Sequence, residues 1–224
     1  MSSWPRLVWA HPSGVLLAGQ LLGVLLYPFM GDSATGRSLL SLFALVVLVL
    51  AVRAVRATPA WTWVAVLILV PVFLLTLAEA LLPESEDILL WSSVFRAAFY
   101  FYTTYGLLRY MFQDRRVTTD ELFATGATFT VVAWAFAYVF LAAQVVWPGS
   151  FIAAIDPSAD RTWMELLFLS FSNLTSVGLS DVVPVLPHAR SLVMIEQVAG
   201  LMYVALVISR IVGLTLTRER DARS

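Results

Sequence analysis

Long apolar runs, each closed by a charged or turn-forming cluster, set the pattern of this chain. A helix crossing the hydrocarbon core of a bilayer needs about 20 consecutive apolar residues, with a range of roughly 17–25. Six runs meet or approach that length, at residues 14–30, 38–55, 60–82, 88–112, 122–147 and 189–217. The second is the weakest, because its uncharged part is only LLSLFALVVLVLAV and spans only if Arg53 or Arg56 snorkels to the interface. Between the fifth and sixth runs lies RTWMELLFLSFSNL, apolar but too short to cross. The pattern predicts an all-α integral membrane protein of six transmembrane helices with a half-length helix between the last two.

Thr162 and Glu165 have capping-box spacing, the Thr side chain reaching a free backbone N–H and the Glu reaching back. They would start a helix at Trp163 that runs to about Asn173, roughly 16 Å at 1.5 Å per residue. That is half a membrane. The irregular stretch that follows, Thr175-Ser176-Val177-Gly178-Leu179-Ser180-Asp181, is tolerated at membrane depth only when buried in protein or lining a watery cavity. Pro184 and Pro187 keep the return segment extended, so the chain goes in halfway and comes out on the same side, as a re-entrant loop. Successive backbone carbonyls of such a loop, supplied by symmetry-related chains, can replace the water shell of a desolvated cation. Ser176 adds a hydroxyl oxygen at the inner end, and Gly178 permits the positive φ that aims neighbouring carbonyls at one axis. The carboxyl end of the short helix favours a cation below it. With one loop per chain, a closed ring demands several copies, about four (a homotetramer) if its radius follows known channels.

Arginine placement orients the spans. Arg53 and Arg56 follow the second run, Arg109, Arg115 and Arg116 the fourth, and Arg218, Arg220 and Arg223 the sixth. The opposite loops hold PESED and the group Asp156, Asp160 and Arg161, with Arg37 a mild exception. Both termini are therefore expected in the cytoplasm, around an even number of spans. The first run lacks a small-residue cleavage site and reads as a retained span in the plasma (inner) membrane. After the last run only RERDARS or a little more follows, too short for a soluble regulatory domain.

Composition narrows the functions. Hydrophobic residues at 60% and charged ones at 13% place the chain in a lipid bilayer, and a net charge of −1 gives no reason to expect nucleic acid. No cysteine is present and the only histidines are His11 and His188, so thiol chemistry and a His-based metal site lack material. No nucleophile–base set stands out, which argues against an enzyme and leaves no catalytic residue to name. Inverted repeats, the mark of many secondary transporters, are not apparent. The expected cofactor is none, beyond a permeant monovalent cation.

Several residues have two readings. Gly200, Val204, Ile208 and Val212 stand four apart, either a cavity-facing stripe ending in an apolar gate or ordinary helix packing. Glu196 and Arg210 lie inside the sixth run, where charges usually pair; Arg210 could also snorkel. Arg96 has no following arginine until Arg109, so it fits a pair with Glu79 or the PESED acids better than a voltage-sensing ladder. Thr118 and Glu121 form a second capping-box pattern, predicting an interfacial elbow before the fifth span. Asp181 could concentrate cations at a mouth or brace the loop by a hydrogen bond, a pairing that Glu165 could also serve.

The stretch TSVGLSDVVPVLPHARSLVMIEQVAGLMYVALVISRIVGL resembles the filter and inner helix of tetrameric potassium channels, whose filter reads TTVGYGD. Ser176, Val177, Gly178, Leu179 and Ser180 fall on the family's T-V-G-Y-G, with Thr175 before and Asp181 after. Gly200 falls on the glycine many of these channels use as an inner-helix hinge. RVTTDELFATGA is similar, more loosely, to the pre-pore segment of bacterial six-span potassium-channel-like proteins. The resemblance implies potassium held at Ser176, Val177, Gly178 and Leu179. It also implies a peripheral four-span domain at 1–113 and a pore domain at 114–224. Ser at 176 keeps the family's hydroxyl, and Leu179 keeps the carbonyl but loses the bracing ring. Ser180 replaces a glycine in a left-handed or similar conformation, at a cost of about 1–2 kcal/mol for an L-residue. The inner ion sites are thus expected to survive while the outer end widens and selectivity weakens. A non-selective monovalent channel, or a non-conducting or structural relative, is the alternative.

Overall fold

The computed structural model describes residues 11–29, 46–56, 60–113 and 118–223. Helix α1 (Pro12–Leu26) starts on a proline, whose missing N–H costs nothing in a first turn, and ends in a short 3-10 turn at Tyr27–Phe29. Residues 46–56 are helical and are called α2. There follow α3 (Thr62–Leu81), α4 (Glu86–Met111), α5 (Thr119–Val146), α6 (Trp163–Leu174) and α7 (Pro187–Arg223). Two short strands, β1 (Phe151–Ala153) and β2 (Val182–Pro184), flank α6 and its loop.

Among the described residues four helices are long and apolar enough to cross a membrane: Pro12–Phe29, Thr62–Leu81, Thr119–Val146 and Pro187–Arg210. Helix α4 has the length, about 39 Å for its 26 residues. Its Ser, Thr, Tyr and Trp side chains, with Arg96, keep it too polar for that set. Several of its polar side chains are satisfied locally. Ser93, Thr103 and Thr104 each donate to the carbonyl four residues back, at 2.7, 3.0 and 3.0 Å, which lets them be buried without water. Of the run at 38–55, residues 38–45 lie outside the described set.

Helix α5 is the axis of the fold, largely buried and packed against α1, α4, α6 and α7. Polar ties fix its partners. Thr130 Oγ1 donates to Gln20 Oε1 of α1 at 2.7 Å, and Asp120 accepts from both the N–H and the hydroxyl of Ser13 at 3.1 and 2.9 Å. Thr118 caps α5 directly, accepting from Glu121 N–H at 3.2 Å, and no proline interrupts residues 119–146. The described part of the stretch expected along the membrane surface is this cap and the first turns of α5, with Asp120, Glu121 and Ala124 buried; residues 114–117 lie outside the described set. At the other end, α7 runs unbroken to Arg223, so residues 218–223 continue the helix rather than forming a separate tail.

Candidate functional site: the α6 loop and the inner helix

The segment between α5 and α7 leaves and returns at one point. β1 pairs antiparallel with β2 in the register Phe151↔Pro184, Ile152↔Val183 and Ala153↔Val182. Arg161, buried, gathers the loop before α6: Nη2 donates to Asp156 O at 2.6 Å and also to Ala159 O, while Nη1 reaches Glu165 at 3.3 Å. Gln144, in the last turn of α5, clamps the Arg161 backbone from both sides, donating to its carbonyl at 3.0 Å and accepting from its N–H at 2.8 Å. The Thr162–Glu165 capping box is complete, with Thr162 N–H on Glu165 Oε2 at 2.7 Å and Glu165 N–H on Thr162 Oγ1 at 3.3 Å. The helix so started extends to Leu174, one residue beyond the length read from sequence.

How α6 ends decides what the loop presents. Ser176 N–H donates to Asn173 O at 2.9 Å, and Val177 N–H to Ser172 O at 3.1 Å, the paired bonds of a Schellman cap. Gly178 N–H adds a third bond, to Ser172 O at 3.1 Å. This geometry needs left-handed backbone, and Ser176 (φ +58°) and Gly178 (φ +67°) supply it. With the N–H groups turned back onto α6, none of the carbonyl oxygens of residues 175–180 accepts a hydrogen bond among the described residues. The Val177 and Leu179 side chains are 67% and 74% exposed on the single chain.

The left-handed strain expected at Ser180 is not there. Among the described residues, Asp156 and Ser176 are the non-glycine positions with positive φ. Ser180 instead accepts the Val182 N–H on its hydroxyl at 3.1 Å, a local turn open to hydroxyl and Asx side chains. Asp181 is exposed and has no hydrogen-bond or ion-pair partner among the described residues, and Glu165 is committed to Thr162 and Arg161. Neither side chain makes the bracing hydrogen bond to the loop among the described residues.

Behind the loop, α7 packs on α6 through Ala189, Val193, Glu196 and Gly200. Glu196 is fully buried; its carboxylate meets the Ser170 hydroxyl and accepts from Asn173 Nδ2 at 3.2 Å. The Ser170 hydroxyl also contacts Ala133 O of α5 at 3.0 Å, so three helices converge on one polar point. Gly200 is a close-approach position: a Cβ there would lie 2.5 Å from Leu174 O and 2.8 Å from its Cα. The four-residue stripe divides. Gly200 faces α6, whereas Val204, Ile208 and Val212 are exposed. Further along α7, Tyr203 donates to Thr125 O at 2.5 Å, and Arg210 pairs with Glu121 at 3.1 Å under the Phe112 ring rather than snorkelling. Arg96 makes a bidentate pair with Glu79, at 2.7 and 3.2 Å, as the lack of an arginine ladder suggested.

A groove of about 490 Å³ opens between the loop and α7, lined by Ser172, Asn173, Ser176, Gly178, Gln197 and Leu201. No cluster of three metal-ligating side chains occurs among the described residues, so a cation in this groove would meet backbone and hydroxyl oxygens. Sequence reasoning missed Gln144 and Asn173. Gln144 had a signal, as the one amide in the last turns of an otherwise apolar run.

Residues 126–216, from within α5 through α6 and its loop into α7, match the family model described as an ion channel. No curated protein and no solved structure matches the chain. This part of the membrane protein is therefore similar to an ion channel domain, and the match covers every residue of the loop and the α6–α7 contact.

Proposed function

We propose that the chain is one subunit of a homotetrameric cation channel that conducts potassium. In this reading six spans cross the plasma membrane with both termini cytoplasmic. Residues 1–113 form a peripheral four-span domain, residues 114–224 form the pore, and α6 with its loop is re-entrant. The observation that carries the reading is the turning back of the Ser176, Val177 and Gly178 amides onto α6, which leaves consecutive carbonyls without donors. Four such loops around an axis place the oxygens of Ser176, Val177, Gly178 and Leu179 where a dehydrated potassium ion replaces the missing donors. Thr175 and the Ser176 hydroxyl complete the inner end, and the unpaired Asp181 raises cation concentration at the mouth. Permeation needs no covalent chemistry and no cofactor.

Gly200 pins the inner helix to the base of the filter, and bending there moves the filter and the lower helix together. Val204, Ile208 and Val212, exposed on the single chain, line the path below and close it by dewetting. Ser180, Leu179 and Asp181 have no bracing side-chain contact with the pore helix, so discrimination between potassium and sodium is weak. Purified protein in liposomes tests the whole. Barium-sensitive potassium flux is expected, and absence of any monovalent cation flux overturns the proposal. Bi-ionic reversal potentials test the selectivity, and strong potassium preference removes the weak-filter part alone.

A further inference from the structure

A second cavity, of about 360 Å³, lies away from the filter where α1, α3, α4, α5 and the start of α6 meet. Its floor is the Arg96–Glu79 pair, joined by Thr76 Oγ1 at 2.9 Å from Arg96 Nη2. The pair is bidentate and self-neutralising, so the cavity has no unbalanced charge to offer an ion. Its walls are aromatic and aliphatic: Trp134, Tyr138, Trp163, Leu89 and Leu141. Tyr138 is held rigidly, stacked on Tyr100 at 5.9 Å, tilted on Trp163 at 5.5 Å and lying under the Arg96 guanidinium at 5.4 Å.

This wall carries a donor with no acceptor among the described residues. Tyr138 is only 6% exposed, and its hydroxyl, which is not occluded, has no hydrogen-bond partner there. The indole N–H groups of Trp134, 3% exposed, and Trp163 are also unpartnered among the described residues, but they are sealed from the space. A hydroxyl on so buried a side chain normally finds an acceptor, and one left open to a roomy apolar space calls for an acceptor from outside. The lip, at Leu82 and Pro83, is exposed, which gives an amphiphile an entrance.

We propose that this cavity binds an uncharged amphiphile through a carbonyl or ester oxygen that accepts from the Tyr138 hydroxyl, with its apolar part against Trp134, Leu89 and Leu141. The oxygen comes either from the ester of a bilayer glycerolipid or from a free amphiphile. The bound molecule rests against Trp163, the first residue of α6. Nothing in this assignment requires ion conduction, so it stands or falls apart from the channel reading.

The full-length protein, in detergent and in phosphatidylcholine nanodiscs, is irradiated with a diazirine-bearing monoacylglycerol, and adducts are mapped by mass spectrometry. Labelling should concentrate on the peptides carrying Tyr138 and Trp163. Unlabelled monoacylglycerol should compete with it, and Tyr138→Phe should weaken it about fivefold, the loss of one neutral hydrogen bond. Leu141→Trp, which fills the space without touching the donors, should abolish it. Labelling lost in nanodiscs but present in detergent identifies a bilayer ester as the occupant, and labelling kept in both identifies a free amphiphile. Adducts spread over the exposed faces of α3 and α7, unchanged in both variants that elute as the parent protein does, overturn the proposal.

Discussion

Ser176 occupies the position after a helix C-cap that glycine usually takes, and it does so with φ +58°. An L-residue there costs about 1–2 kcal/mol, so Ser176→Gly should raise the thermal midpoint of the solubilised protein while removing a hydroxyl from the inner filter site. The two glycines of the site behave differently. Gly178 has open space around a would-be Cβ, so Gly178→Ala should leave assembly intact and abolish flux, purely through its φ of +67°. Gly200 has normal helical backbone but no room, and Gly200→Ala should destabilise the protein by about 1–3 kcal/mol, measurable as a lowered midpoint. If Gly200→Ala leaves the midpoint unchanged, the close contact with Leu174 is not a constraint. The sequence made Gly178 legible through its neighbours and offered Gly200 as a hinge, but only the fold shows its close contact with Leu174. Ser180 was misjudged for the same reason: a motif assigns residue types, while φ depends on how the preceding helix is capped.

Elements were legible where their signals are local. The box that starts α6 spans three residues, and the apolar runs end at charges or prolines, so α3, α5 and α6 lie within a few residues of their expected ranges. Arg96–Glu79 apart, ties between elements were not legible: Gln144–Arg161, Asn173–Glu196 and Glu121–Arg210 join positions 17, 23 and 89 residues apart. Which helical faces meet decides those pairs. The last one couples the lower part of α7 to the first turn of α5 and, through Phe112, to the end of α4. Both side chains are mostly buried, so Arg210→Gln or Glu121→Gln alone breaks a buried pair and should cost about 3–5 kcal/mol. The double variant should recover part of that loss, with a coupling of about 0.5–3 kcal/mol in a thermal double-mutant cycle. Strictly additive losses would mean that the two charges do not sense each other.

The single chain leaves uncovered a surface that lipid cannot satisfy. The outer face of α3, with Leu67, Phe73 and Leu74 exposed, is apolar throughout and suits acyl chains. The face of α7 that shows Val198, Leu201 and Met202 is different, because Ser176, Gly178 and Gln197 share the adjoining groove with carbonyls that have no donor. Such groups in hydrocarbon cost several kcal/mol each, so protein or water must cover this side. Further copies of the chain, arranged so that each loop faces a common axis, meet that need and close on themselves. The absence of cysteine makes the arrangement testable with single introduced thiols. Leu201→Cys should form disulfides between chains on mild oxidation, whereas Leu74→Cys should not, and native mass spectrometry should find four chains. A monomeric mass with no Leu201→Cys bridging would leave the unpaired carbonyls without a partner surface and would defeat the channel architecture itself.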